Sequence, residues 1–559
     1  MSKVYEFRTV LDLVTDPDNY DNPKLLKSIE TIAEEDTANG TNRLQEVQNA
    51  AGNSFLLLMK EITSRAIGIK RRAYNDQIVE KLRDIAPERE YETNDIGNGD
   101  LFAAVFSDQL HWNTDKGQWD RYNGKFWEAD EGGIHAEECA KDFQTALMVY
   151  SCSILDEDKQ KRFQKNAVRI GSRRVRETML EDARSKLAIT GAEYDTDDYL
   201  LNLKNGVLDL KTFQLIDHHP EQNITKICNA EYVEGARSER WEQFIDEIMC
   251  GDAEKADFLQ RIIGYSLTGS TKEEVFFMLY GSTTRNGKGT LIETISYLLN
   301  GANGYACGIE PESLAKRNIN DGSRPSPDIA RLKDCRFLNC AEPDRGMLLD
   351  VALIKRMTGR DTISARELYA KKIISFIPKF KLFMNTNYLP VVTDDTLFSS
   401  DRVYVVPFDR HFSDEERDKS LKDRFRDPVE AAGILNWCLE GLRKYQERGL
   451  ERPSAIESAT EEYRKQSDKL GTFFQECMEQ AKGCESVKAI YERYVEWCHE
   501  NGYGTENKRN FMDLLKRKGL HANSGTVNGI TVRNVVPGFQ IITEFVPAGA
   551  TPFDKYRAM

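Results

Sequence analysis

No stretch of this 559-residue chain is apolar for long enough to cross a bilayer, and the opening MSKVYEFRTVLD has no apolar core of the kind a signal peptide needs. No helical span, secretory leader or membrane partner is therefore expected. Eleven Cys occur without a CxxC pair or a Cys/His cluster, so neither a disulfide framework nor a zinc site is supported, and reduced core thiols in a cytoplasm are expected. Histidine is scarce, with seven in all and the first at His111. Internal repeats and low-complexity tracts are absent. Basic residues number 77 against 91 acids, a net charge of −14, which disfavours indiscriminate nucleic-acid binding and confines any such contact to local basic patches. What is there is the composition of a globular protein, 40% hydrophobic and 30% charged. The length allows about three to four domains.

The most informative stretch is EVFFMLYGSTTRNGKGTLIETISYLLN, Glu274 to Asn300. A strand-like run turns into a Gly-rich loop with a Lys and then into an amphipathic helix with Leu291, Ile292, Ile295, Leu298 and Leu299 on one face. This is the layout of a phosphate-binding P-loop, in which backbone N–H groups and a helix N-terminus surround phosphates while Lys288 supplies a mobile charge. The loop residues are Gly281, Ser282, Thr283, Thr284, Arg285, Asn286, Gly287, Lys288, Gly289 and Thr290. Ser282 holds the usual first-Gly position, with Gly281 one residue earlier. Gly289 separates Lys288 from the hydroxyl of Thr290, the candidate Mg²⁺ ligand.

Three later strand-like runs carry polar groups in the order a nucleotide-hydrolysing sheet requires. CRFLNCAEPD delivers Glu342, the candidate general base, and Asp344, its alternative or a further partner of the metal; Thr290, Glu342 and Asp344 are thus the candidate Mg²⁺ residues. FKLFMNTNYLP ends in Asn385 and Asn387, either of which can orient water against a γ-phosphate. SDRVYVVPF sets Arg402 ahead of a Val-rich strand, where a guanidinium can reach a neighbouring subunit's nucleotide. All four groups are expected at one edge of one sheet.

Together these motifs, with ALIKRMTGRDTISARELY and DRVYVVPFDRHF, resemble the superfamily 3 helicases of the phage, plasmid and poxvirus primase-helicase branch. The resemblance implies an α/β AAA+ P-loop ATPase core that uses ATP and Mg²⁺ and assembles as a homo-oligomer, a hexameric ring on DNA. It also implies that Ile354 to Phe376 is the family's motif B′, with Lys355, Gly359, Asp361 and Arg366 in matching places. A hairpin there would carry Lys371 and Lys372 into the central channel. Where the family often has Trp-Arg-Arg, this chain has Ser400-Asp401-Arg402.

The expected organisation is a helical region over 1–95, an α+β pre-helicase domain over 96–235, the ATPase with a helical collar over 236–447, a linker from Arg448 to Glu457, and a winged helix over 458–559. In the pre-helicase region short strands would carry Trp and Tyr around Gly turns. The basic cluster Lys70, Arg71 and Arg72 reads as a solvated face more than as a DNA contact. Helices at Ser486 to Gly504 and over ENKRNFMDLLKRKGL would precede a wing whose two strands and turn all lie in GITVRNVVPGFQIITEFV. Lys508, Arg509, Lys516, Arg517 and Lys518 are its candidate DNA contacts, with protein docking as the alternative.

The function so implied is that of a replicative helicase or replication initiator of a mobile element, acting on single-stranded or forked DNA and possibly on origin duplex. In a phage or plasmid it would work in the bacterial cytoplasm. About 95 residues precede the pre-helicase region, which leaves no room for a primase catalytic domain and suggests a separate primase. Two alternatives stay open: a DNA-binding initiator whose ATPase only switches assembly, and an ATPase that remodels proteins.

Overall fold

The computed structural model describes residues 5–20, 22–39, 43–52, 71–316, 326–366, 373–392, 396–501 and 504–542. The chain divides into two compact units, Met1–Tyr194 with His219–Ile224, and Asp195–His218 with Thr225–Met559.

The first unit opens with the helices Phe7–Leu13, Pro23–Asn39 and Arg43–Ala51, which close over Val10, Leu25, Leu26, Ile29 and Val47. A second core forms where the helices Asp95–Phe106, Ile134–Ser151, Glu157–Ile170 and Arg173–Ala183 bring together Phe102, Phe106, Phe143 and Phe163. The strands Leu110–Asn113, Gln118–Tyr122 and Trp127–Ala129 form an antiparallel meander, and Ala188–Ile189 joins its edge in parallel. Trp and Tyr do ride on these short strands, and Gly117 and Gly124 turn between them at φ +64° and +93°. Inside the sheet His111 stacks on Trp127, the ring centroids 3.7 Å apart and the planes 8° from parallel. Its Nδ1 pairs with the Tyr194 hydroxyl at 3.1 Å, and that hydroxyl donates to Asp120.

The second unit is built on five strands: β1 Phe276–Tyr280, β2 Ala306–Ile309, β3 Phe337–Cys340, β4 Lys381–Thr386 and β5 Val403–Pro407. They pair in the order β5-β1-β4-β3-β2, all parallel. A parallel sheet is covered on both faces, which is why these strands read as near-continuous apolar runs. On one face Phe277, Leu279, Phe337 and Phe383 meet Leu291, Ile295 and Leu298 of helix α1 (Lys288–Leu299). On the other, Phe276, Met278, Leu338 and Met384 meet Ile354 and Met357 of the helix Val351–Thr358. Beside the sheet the helices Ala253–Ser266 and Pro428–Arg448 touch backbone to backbone. A Cβ on Gly264 would fall 2.2 Å from Leu442 N, and one on Gly441 2.0 Å from Gln260 O.

Three expected boundaries shift. The strands Leu200–Leu203 and Gly206–Asp209 belong with the second unit rather than with residues 96–194, because Leu201, Leu203, Leu208 and Leu210 are buried in one core with Trp241, Phe258 and Leu442. The expected linker at 448–457 is anchored: Arg261 donates to Gly449 O and Glu451 O, each at 2.9 Å, and Arg452 pairs bidentately with Asp401. The helix that follows, Ser454–Ser467, buries Tyr463 in the sheet's own core.

The C-terminal elements run helix Lys469–Cys477, strand Met478–Ser486, helices Val487–Glu500 and Lys508–Arg517, then strands Ala522–Val527 and Ile530–Ile541. The last strand pairs antiparallel with both others over a core of Phe473, Ile490, Tyr494, Trp497 and Phe511. The hairpin therefore turns at Asn528-Gly529, both at positive φ, and not within the segment after Gly529. Asn-Gly is the pair that such two-residue turns favour. Among the described residues no helix is long and apolar enough to cross a membrane.

Burial pushes His111 down to about 4, against the pull of Asp120 and Glu193. The unfolded chain, with an ordinary His near 6.5, takes up this proton at higher pH than the folded chain does. Stability from this group is therefore full above pH 6.5 and declines as pH falls toward 4, by about 3 kcal/mol at most. In urea unfolding followed by Trp emission, the midpoint should drop over that window more steeply for the wild type than for His111→Gln; equal slopes would count against the buried neutral imidazole.

Candidate nucleotide-binding site

The loop from Gly281 to Gly287 leaves β1 at the C-terminal edge of the sheet and enters α1. Gly281 N donates to Thr386 O at 3.2 Å, and Phe408 N to Tyr280 O at 2.7 Å, so the base of the loop is fixed between β4 and the end of β5. No side chain fits at Gly281, where a Cβ would lie 2.3 Å from Asn286 Nδ2 and 3.0 Å from Lys288 Nζ. Gly287 has φ +85° and would set a Cβ 2.3 Å from Ile248. Asn286 is buried and ties the loop to itself through a 2.6 Å bond to Thr283 O. Ser282, Thr283, Thr284, Arg285 and Gly289 are exposed and Thr290 is half-buried. Arg285 pairs with Asp414 at 2.6 Å. No side chain caps α1, which leaves its first N–H groups available to an anion.

Lys288 is 4% exposed. Its Nζ donates to Asn387 Oδ1 at 2.8 Å and more weakly to Gly281 O at 3.4 Å, and Asn387 N donates to Glu342 Oε1 at 3.2 Å. Burial pushes the ammonium down to about 8, opposed by the Glu342 carboxylate. These contacts distinguish the two amides. Asn387, just past β4, links Lys288 to Glu342. Asn385 alternates with Met384 onto the face of the sheet that α1 covers, its Oδ1 buried without a hydrogen-bond partner. Asn339 of β3 has a buried Oδ1 in the same condition. A polar residue in the apolar run FLNC was the available signal for it.

Asp344 is exposed and makes no hydrogen bond to the loop; its carbonyl accepts from Met347 N. Arg402 does not join the other groups. It precedes β5 at the N-terminal edge, where its carbonyl accepts from Phe276 N at the start of β1, so the expectation that all four groups share one edge fails there. The guanidinium is enclosed in its own chain: Nη2 pairs with Glu274 at 2.5 Å, and Nη1 donates to Thr358 Oγ1 at 3.1 Å and to Lys355 O at 3.3 Å.

Beside the loop lies an open cavity of about 890 Å³. Phe244, Gly289, Thr290, Arg410, Phe412 and Lys422 are among its lining residues. Phe412 N bonds Arg285 O and His411 bonds Thr284 O, which holds the segment after β5 against the P-loop.

The strands Ile363–Ala365 and Ile374–Phe376 pair antiparallel and converge on the segment that carries Lys371 and Lys372, two residues that lie outside those described, as does Lys70. Lys508, Arg509, Lys516 and Arg517 are exposed on the helix whose Phe511 and Leu515 face the core. Lys518 is instead paired with Asp468 at 2.5 Å.

Residues 99–250 match the family model described as D5 N terminal like, and residues 465–521 that described as Poxvirus D5 protein-like. "Putative helicase L207/L206" of Acanthamoeba polyphaga mimivirus is 28% identical over 333 residues, 56% of this chain and 34% of that protein. "Putative helicase 022R" of Frog virus 3 is 26% identical over 286 residues, 47% of this chain and 28% of that protein. "Putative primase C962R" of African swine fever virus is 25% identical over 331 residues, covering 55% and 34%. The chain spans about a third of the length of the curated relatives it matches. The solved apo C-terminal region of NrS-1 aligns with 77% of this chain and 96% of that one at 11% identity and a TM-score of 0.43, too slight a likeness to bear on the fold.

Arg402→Ala should lower the unfolding free energy by about 1–2 kcal/mol, chiefly because it frees two acceptors on the helix Val351–Thr358, with a smaller share from the partly wetted pair with Glu274. Thermal unfolding checks this; an unshifted midpoint would argue that the ion pair holds nothing in place. The chain is thus similar in one segment to the family described as D5 N terminal like, in another to that described as Poxvirus D5 protein-like, and over about half its length to proteins of large DNA viruses that bear helicase and primase names.

Proposed function

We propose that this chain is the ATP-driven motor of a viral DNA helicase: an AAA+ ATPase of superfamily 3 type that works as a homo-oligomer, a hexameric ring, on single-stranded and forked DNA. The observation that carries the reading is the chain Lys288–Asn387–Glu342 at the open edge of a parallel sheet, with β4 standing between the P-loop strand and the strand that leads to Glu342. A phosphate entering at α1 would take the Lys288 ammonium from Asn387. The freed Asn387 amide and Glu342 would then be left facing the γ-phosphate, the amide to orient a water and the carboxylate to accept its proton.

The residues fit nucleotide and metal. The loop excludes side chains at Gly281 and has nothing within 4 Å of a Cβ at Gly289, and the adjoining cavity is bounded by Phe244 and Phe412 with Arg410 and Lys422. Among the described residues no group of three or more His, Cys, Asp or Glu could hold a metal alone. That suits Mg²⁺, which binds through one or two protein groups together with phosphates and water. Thr290 and Glu342 would hold it, with Asp344 beyond, and it would neutralise charge on the transferring phosphoryl group. Lys371 and Lys372 would contact DNA from the hairpin. The C-terminal helix–strand–helix–helix–strand–strand order supports a winged helix whose Lys508, Arg509, Lys516 and Arg517 face phosphates.

One observation favours the second reading, an initiator whose ATPase only switches assembly. Arg402, the residue meant for the neighbour's nucleotide, is engaged to Glu274 in its own chain and would have to be released on assembly.

Lys288→Ala should reduce ATP turnover at least ~100-fold, because it deletes a phosphate interaction made in the transition state, while circular dichroism stays that of the wild type. Turnover within a few-fold of normal would refute the site. Strand displacement on a fork separates the two readings: a motor displaces in proportion to ATP hydrolysed, whereas a switch hydrolyses without displacing.

A further inference from the structure

The helix pair Glu157–Ile170 and Arg173–Ala183 of the first unit carries more charge than its packing uses: Arg176 closes the end of the first helix, donating to Gly171 O at 2.6 Å and to Ile170 O at 3.3 Å, and the others have no such role. Between Lys159 and Arg176 the sequence has eight Lys or Arg and no Asp or Glu, in a chain of net charge −14. In the first helix Phe163, Asn166, Ala167 and Ile170 face the core. Arg162, Lys165 and Arg169, spaced three and four apart, form a stripe on the exposed face. After the turn at Gly171-Ser172 the second helix begins with Arg173 and Arg174, both exposed.

Arg169 in the last turn of its helix and Arg162 four residues after Asp158 suit the local structure, but the rest of the cluster works against it. Like charges three and four residues apart repel along a helix. Basic residues in a first turn oppose the positive end of the helix dipole, and here that turn has no acid and Ser172 makes no side-chain cap. Relief within the chain is partial: Arg169 pairs with Asp95, Arg173 with Glu177 at 2.8 Å and Lys161 with Glu157 at 3.5 Å. Among the described residues Arg162, Lys165 and Arg174 have no ion-pair partner. Several local rules broken at one exposed place mark a surface kept for a partner. A row of phosphates would meet all of them at once, the stripe by charge and the uncapped helix start by its N–H groups.

We propose that this helix pair is a docking surface for the phosphodiester backbone of single-stranded DNA, on the unit that holds no nucleotide loop. The surface rests on DNA being the motor's substrate, but it needs neither ATP nor the P-loop. The test uses the full chain bearing Arg162→Gln, Lys165→Gln and Arg174→Gln together. A control chain bears Lys116→Gln, Lys125→Gln and Lys488→Gln, three exposed cations outside the stripe. Single-strand affinity is measured by fluorescence anisotropy across a salt series without nucleotide. The stripe variant should bind at least ~10-fold more weakly at low salt, with a slope of log affinity against log salt shallower by about 2, at roughly 0.7 for each phosphate that is no longer neutralised. Its basal ATP turnover and unfolding midpoint should be unchanged, and the control should bind as the wild type does. An unaltered salt slope, equal weakening in the control, or loss of binding only to an acidic polypeptide would each overturn the proposal. A protein that hydrolyses no ATP yet loses DNA affinity in the stripe variant would instead refute the motor and keep the surface.

Discussion

A parallel sheet has two unlike edges, and the architecture of the second unit depends on closing one of them with buried cations. Arg336, just ahead of β3, donates to Leu267 O and Leu200 O at 2.8 Å each and to Asp197 O at 3.2 Å. Lys381, the first residue of β4, donates to the carbonyls of Thr268, Ser270 and Lys379. Both are buried, and neither has a carboxylate in this set. A buried cation is costly unless hydrogen bonds replace its water. Here they are carbonyls at and beyond the C-terminus of the helix Ala253–Ser266 and from the segment leading into Leu200–Leu203, and the negative end of a helix dipole favours a cation at that place. The arrangement fixes the collar helix, the small antiparallel sheet and the N-terminal ends of the two central strands together. The opposite edge is left free to hold a loop.

The contrast between Lys381 and Lys288 separates a structural cation from one that can exchange partners. Burial lowers the pKa of both. Lys381 is surrounded by three carbonyls that belong to fixed backbone, and losing it would leave them unpaired. Lys288 has one good partner, the side-chain amide of Asn387, and one long contact to Gly281 O. An amide is a weak competitor for an ammonium beside a phosphate, whose bonds are charge-assisted. The geometry therefore describes a lysine held in place but cheaply released, with the group that releases it already bonded to Glu342.

Much of this edge was legible in the sequence. The run Glu274–Asn300 carries an unbroken apolar stretch for the strand and a 3.6-residue period for the helix, and the apolar runs that lead to Glu342, Asn387 and Pro407 have the length of buried strands. Their lateral order was not legible, since nothing local specifies that β4 inserts between β1 and β3. Which of Asn385 and Asn387 touches Lys288 needed coordinates as well, because residues two apart share a face of a strand, and the difference is that Asn385 still lies within β4 whereas Asn387 lies just past its end. The wing was misplaced although Asn528-Gly529 names its turn, because the Pro537-Gly538 pair further along imitates a second turn within what is one strand, Ile530–Ile541. The segment after Arg448 looked like a linker by composition. Its anchors, Arg261 and Asp401, lie far away in the sequence.

Arg402 shows why a motif does not determine what its residue is doing in a given state. Its side chain is 19% exposed and that of Glu274 39%, so the ion pair is partly wetted and its net contribution is modest, well below that of a dry pair. A phosphate offered by a neighbouring subunit, in the proposed ring, would be a stronger bidentate partner than the carboxylate. The exchange would be felt elsewhere. Glu274 lies two residues before β1, at the other end of which the P-loop begins, and Nη1 of Arg402 also holds Lys355 and Thr358 at the end of the helix that leads into the hairpin strand Ile363–Ala365. One guanidinium thus touches the residue that leads into the P-loop strand and the helix that leads into the hairpin. Releasing it would loosen both from a common point, a local route from the proposed nucleotide site to the hairpin proposed to bind DNA.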